Sequence, residues 1–332
     1  MPSRTNKMTR IEWIDMLRGF SMMAILWFHT EVYYTDTIVT PYAMYVGDVL
    51  AVFFFLSGYL MYSDKAFNVR HKLYRILRSL IIPYFFFATI IAFPKSWIHQ
   101  QQIDIISITK YILLGKASWF IAALIVAQLL FTFSIAIFKH RYALIILAFI
   151  TLFISYYIGN GFNPTYYYYD YDAWYINEAM LGYSIMVLGY IYHQHEERVN
   201  KINNLTIITT LLLSVIFIKL YILKTDAQLI FGPIIVSNYL LFIGDIILTT
   251  LLLVYFFRLL PTVKLLQWTG RHSLVYYFIC GAVPLIVSKI FHIIGFYSNS
   301  YFVILLVFLV VYLFSTIITW MIYKYLPWIV GV

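Results

Sequence analysis

Long apolar runs separated by short polar segments dominate this chain. They lie near Ile11–Tyr34, Tyr42–Tyr62, Leu77–Phe93, Trp119–Phe138, Tyr142–Ile158, Trp174–Tyr192, Leu205–Leu223, Pro233–Phe257, Ser273–Ile294 and Tyr301–Tyr325. A helix needs roughly 20 apolar residues to cross a bilayer, and each run is of that order. The pattern predicts an all-α polytopic membrane protein with about ten transmembrane helices. The first run contains Asp15 and Arg18, and Thr30-Glu-Val-Tyr33 follows it where a signal peptide would carry small residues. It is expected to stay as a span and not to be cleaved.

Composition strengthens this reading. Of 332 residues, 63% are hydrophobic and 11% charged, against about 45–50% and ~25% in ordinary soluble domains. A typical soluble enzyme, a disordered tail and a disulfide scaffold are excluded. Cys280 is the single cysteine, so there is no internal disulfide and no cysteine cluster for a metal. Neither an internal repeat nor a low-complexity linker is visible. One integral domain over residues 1–332, with no appended soluble domain, is expected.

The net charge of +9 first suggests nucleic acid. In a membrane chain, however, Lys and Arg set topology, and no nucleic-acid partner is expected. With the N-terminus in the cytoplasm, seventeen Lys and Arg fall in inside segments, among them Arg4, Arg18, Lys65, Arg75, Arg141, Arg198, Arg258, Arg271 and Lys324. Six fall outside: Lys95, Lys110, Lys116, Lys219, Lys224 and Lys289. This bias places both termini in the cytoplasm.

Ionisable groups inside spans are costly and mark candidate chemistry. Arg18 and His29 stand eleven residues apart in the first span. That is three helical turns, so they share a face, roughly 16 Å apart along the axis. Asp15 and Arg18, at i and i+3, can pair. A histidine with a free pKa near 6.5 suits proton transfer, and a neutral imidazole could accept a proton from a hydroxyl. It could equally bond a neighbouring helix. Arg75 and Arg78, also at i and i+3, offer two guanidiniums to a phosphate-bearing ligand, or else anchor the membrane surface. No Gly-rich phosphate loop is present, so a nucleotide would have to be held by side chains.

Other candidates are less specific. The segment from Asn160 to Tyr175 is aromatic and acidic, without Lys or Arg. Rings such as Trp174 could stack on sugars while Asp170 and Asp172 bind hydroxyls; an interfacial aromatic belt is the alternative. Ser57 could be a nucleophile, or with Gly58 could allow close helix packing. Glu31, Asp36, Asp48, Glu178 and Asp245 are possible partners of His29, and spacing does not choose among them.

Together these residues form a recognisable set. Asp15-Met-Leu-Arg18-Gly19 leading to His29 resembles the opening motif of acyltransferase family 3, a family of integral membrane acyltransferases. Phe53-Phe-Phe-Leu-Ser-Gly58 is similar to that family's second-span element. Arg75-x-x-Arg78, Trp119-Phe120 and Gly270-Arg-His-Ser273-Leu-Val-Tyr276 resemble its later motifs, in the expected order. The late motif often ends in a histidine where this chain has Cys280, so no second histidine role carries over, and His272 is read as structural or interfacial. The resemblance implies a membrane O-acetyltransferase with acetyl-CoA as co-substrate, no permanently bound cofactor and no metal. The acceptor would be a carbohydrate or lipid-linked sugar beyond a bacterial cell membrane. His29 would act as base or acyl carrier, with Arg18, Arg75 and Arg78 near the donor path. An exporter of a glycan or small solute and a non-catalytic assembly protein are the competing readings. Polar groups in several spans would also serve a transport path, but no paired symmetry between halves is seen.

Overall fold

Apolar residues at helical spacing with few interior breakers give long helices, and in a computed structural model they pack side by side. It describes residues 11–63, 66–98, 104–138, 140–161, 173–199 and 204–331. Helix α1 spans Glu12–Thr35, α2 Val46–Tyr59, α3 Val69–Ile76, α4 Ile82–Ile98, α5 Ile105–Leu113, α6 Trp119–Ile137, α7 Arg141–Gly161 and α8 Ile176–Gln194. The short α9 covers Glu196–Val199 and α10 covers Asn204–Thr225; α11 is Tyr239–Leu259, α12 Lys264–Arg271, α13 Ser273–Ile279, α14 Ala282–Ile293 and α15 Tyr301–Tyr325. Side chains of Asn68 and Asn238 cap the helices they precede, accepting from the backbone N–H of His71 and Leu241.

Among the described residues, six helical segments are long and apolar enough to cross a membrane: Val69–Ala92, Trp119–Ile137, Arg141–Gly159, Leu205–Thr225, Tyr239–Leu259 and Tyr301–Tyr325. The pair α13 and α14 makes a seventh if its 49° bend lies within one span. The remaining expected spans also form helices. Among these, α2 has 14 residues, and α1 carries Glu12, Asp15, Arg18 and Glu31. Peripheral faces are strongly apolar, with Phe149, Phe153, Leu213 and Phe217 exposed. A surface of this kind is covered by lipid rather than water.

Two breaks have local causes. Between α3 and α4 the helix widens to a π-turn at Leu77–Ile81. Pro83 follows it and has no N–H to bond the carbonyl four residues back, so the ladder adjusts there. Between α13 and α14 the helix breaks at Cys280–Gly281. Pro284 sits in the first turn of α14, where its missing N–H costs nothing. The eighth expected run starts at Pro233, but the structure spends residues 229–236 on a small antiparallel hairpin, with Leu229 opposite Val236, before α11 begins.

Two crossings place the sequence motifs. Helix α1 lies against α12, glycine to backbone: a Cβ on Gly19 would strike the carbonyl of Leu266, and one on Gly270 the carbonyl of Asp15. Helix α2 meets α8 likewise, Gly58 against the Met186 carbonyl and Gly189 against that of Phe55. Small residues permit such approach. The Ser57-Gly58 element is therefore a packing device at Gly58, and the opening and late motifs touch each other.

Candidate active site

Helix α1 carries candidate groups at both ends. Its C-terminal end is tied down by the 292–298 segment: His292 Nε2 lies 2.7 Å from the Tyr34 carbonyl, and the Tyr297 hydroxyl donates to the Thr35 carbonyl at 3.1 Å. His29 sits less than two turns before that end and is half-buried. Its ring stacks on Tyr33, centroids 6.1 Å apart, and meets Phe28 edge-on. No described residue hydrogen-bonds the imidazole. A histidine that stapled two helices would have such a partner.

The five carboxylates suggested as partners are engaged elsewhere or exposed. Glu31 Oε1 accepts from the backbone N–H of Val39 at 2.7 Å and Thr40 at 2.6 Å, holding the turn after α1. Glu178 Oε1 accepts from the Ile234 N–H at 3.0 Å. Asp48 and Asp245 both hold Lys219. Asp36 is exposed at the left-handed cap of α1.

Phenols gather near His29 instead. Phe28 meets Tyr42 edge-on at 5.5 Å. Tyr277 lies within electrostatic reach of Tyr42 and Cys280. A Cβ on Gly281 would stand 3.9 Å from the Tyr33 hydroxyl. The break in the α13–α14 pair thus brings Cys280 beside Tyr33 and Tyr277. Phe120 of the Trp119-Phe120 motif packs on Tyr277 at 5.1 Å and on Phe54 at 5.3 Å. Phe54 of the second-span element and Phe120 thus gather with Tyr277, while the late motif itself lies against the Asp15–Gly19 end of α1.

The other end of α1 is cationic. Lys72 lies within electrostatic reach of both Arg75 and Arg18, so three cations cluster. Lys72 carries no spacing signal of its own, yet it stands with Arg18 and Arg75, which do. Arg78 falls within the π-turn, which changes its register relative to Arg75. It is exposed, with its guanidinium 3.5 Å from the Tyr74 hydroxyl. Asp15 forms a 3.0 Å ion pair with Arg271 of the late motif, 256 residues away, a partner that sequence spacing could not supply. Thr262 donates to Glu12 nearby.

A second polar network was also missed. Arg258 bridges to Glu196 at 2.9 Å and donates to the Tyr192 hydroxyl at 2.7 Å, while Tyr59 donates to Glu196 at 2.6 Å. It links α2, α8, α9 and α11. No motif marks it, because its members are ordinary surface residue types in sequence.

Asp170 and Asp172 lie outside the described residues. Trp174 is half-buried, with a left-handed φ of 59°. Its N–H donates to the Leu114 carbonyl at 2.8 Å and its ring packs on Tyr84 at 5.5 Å. It is fixed in place and offers only part of its surface.

No curated protein and no solved structure matches the chain significantly. A family model described as an acyltransferase domain matches residues 11–324, which spans the helices described above to within one residue of the end of α15, including both ends of α1. The chain belongs to acyltransferase family 3, and it is an acyltransferase.

Proposed function

We propose that this protein moves an acetyl group from cytoplasmic acetyl-CoA to a hydroxyl of an extracytoplasmic glycan or lipid-linked sugar, in a bacterial cell membrane. The observation that carries the reading is His29, whose imidazole has no hydrogen-bonding partner among the described residues, three turns along one helix from a cluster of Arg18, Lys72 and Arg75. At ~1.5 Å per residue these ends are roughly 16 Å apart, a distance an extended pantetheine arm covers. CoA phosphates at the cationic end would leave the thioester near His29.

The chemistry balances without another reactant. An imidazole nitrogen takes the acceptor's hydroxyl proton as the oxygen attacks the thioester carbonyl. The C–S bond breaks, and the imidazolium returns the proton to the departing thiolate, giving the ester and CoA thiol. In the other route the imidazole carries the acetyl group itself before the hydroxyl attacks. Asp170, Asp172 and Trp174 are assigned to the acceptor side. Acetyl esters on surface glycans, measured with and without the chain, test the function as a whole.

In this reading the chain crosses the membrane ten times and both termini are cytoplasmic. A reporter active only in the cytoplasm, fused after Val332, should give signal; signal only from a periplasm-active reporter would overturn the orientation. Arg75→Ala should raise the KM for acetyl-CoA about 10–100-fold, the loss expected when a charge-assisted hydrogen bond of ~1.5–3 kcal/mol is removed. Arg78→Ala should raise it less, since the π-turn carries Arg78 away from the shared register. An unchanged KM in purified Arg75→Ala would remove Arg75 from the donor path.

A further inference from the structure

Lys219 counts as an outside residue in the charge tally, yet the structure places it inside α10, only 9% exposed, between Asp48 of α2 at 2% and Asp245 of α11 at 3%. Its Nζ donates to Asp48 Oδ2 at 2.6 Å, to Asp245 Oδ2 at 2.7 Å and to the Ala43 carbonyl at 3.0 Å. These three bonds use every proton of the ammonium. Buried ionic sets of this kind are poor adhesives, because well-packed apolar residues in the same volume often hold helices as well or better. What apolar side chains cannot do is make the third bond.

That bond reaches the turn Tyr42–Met44, which leads from α1 into α2. Tyr42 is the residue whose ring meets Phe28, the neighbour of His29. Lys219 lies less than two turns before the end of α10, as His29 does before the end of α1. At ~1.5 Å per residue both sit about 9 Å below their helix ends.

We propose, building on the acetyltransferase reading, that Lys219 is a positioning residue. Clamped by Asp48 and Asp245, it fixes the Tyr42 turn as the wall beside His29. The Tyr42 ring then stacks the acceptor sugar and aims its hydroxyl at the imidazole. The ligand class is a neutral sugar face, which an aromatic ring suits and a free charge would not.

The test uses the full chain in lipid nanodiscs, with acetyl-CoA as donor and a cell-surface glycan extract as acceptor. The variant Asp48→Leu/Lys219→Met/Asp245→Leu removes the charges while keeping volume. It should insert and unfold at or above the wild-type temperature. His29 should then react several-fold faster with diethylpyrocarbonate, read by mass spectrometry of its peptide. CoA release should fall about tenfold or more, as loss of alignment does, with the KM for acetyl-CoA unchanged. Wild-type labelling and turnover would overturn the proposal. If that variant does not insert, Lys219→Arg keeps the charge with altered geometry and should show the same two shifts in smaller degree. Wild-type values there, or failure of both variants to insert, would make the set mere scaffolding and overturn it equally. Faster labelling in a protein whose wild type transfers no acetyl group would defeat the acetyltransferase reading alone and leave the positioning of His29 intact.

Discussion

His29→Gln should lose acetyl transfer as completely as His29→Ala, with both variants inserted at wild-type abundance. Glutamine keeps a hydrogen-bonding group of similar reach but cannot take up and return a proton. A general base typically contributes about 10²–10⁴-fold in rate, and a covalent carrier would contribute at least as much. The structure sharpens the comparison, because the imidazole has no described hydrogen-bonding partner that glutamine would need to satisfy. Its ring stacks on Tyr33 and meets Phe28 edge-on. A structural role would therefore be one of ring packing, and His29→Phe would restore it. Glycan acetyl content by mass spectrometry, normalised to inserted protein, decides the matter. Substantial acetylation by the glutamine variant, or rescue by phenylalanine, would sink the assignment of His29 and revive the exporter reading.

The apolar runs were legible because a span must satisfy its own backbone, so hydropathy alone marks it. The same simplicity hides what hydropathy does not weigh. Lys219 is one lysine in an apolar run, and its partners stand 171 and 26 residues away. No spacing rule connects them, and a charge tally assigns such a lysine to the nearer loop. Asp15 shows a related limit. A candidate partner at i+3 was visible in Arg18, whereas the ion pair to Arg271 arises only because α1 and α12 cross. The π-turn before Pro83 was not visible in the spacing of Arg75 and Arg78, because a regular helix is assumed when residues are counted. His29 was legible as an isolated titratable group, but the phenols around it come from three separate segments that only the fold unites.

Gly270→Val should leave no folded, inserted protein, whereas Gly244→Ala should be tolerated. At Gly270 an added Cβ meets backbone, the Asp15 carbonyl and the Gly19 N–H, and backbone cannot rotate away as a side chain can. The only relief is to part α1 from α12. That would break the Asp15–Arg271 pair and unseat the helix that carries both Arg18 and His29. Ordinary overpacking costs about 1–3 kcal/mol, occasionally more, and this site belongs at or beyond the upper end. A fold held by roughly 5–15 kcal/mol does not absorb that easily together with a lost ion pair. Gly244 lies inside α11, and its nearest neighbour, Ile218 Cδ1, would be 4.0 Å from a new Cβ. Alanine there makes an ordinary contact and gains about 0.5–1 kcal/mol of helix preference. Detergent-extracted yield and thermal unfolding of the two variants separate these outcomes. Gly270→Val with wild-type thermal stability would mean that α1 and α12 do not cross in contact, and with that the cationic end and the late motif would no longer share a site.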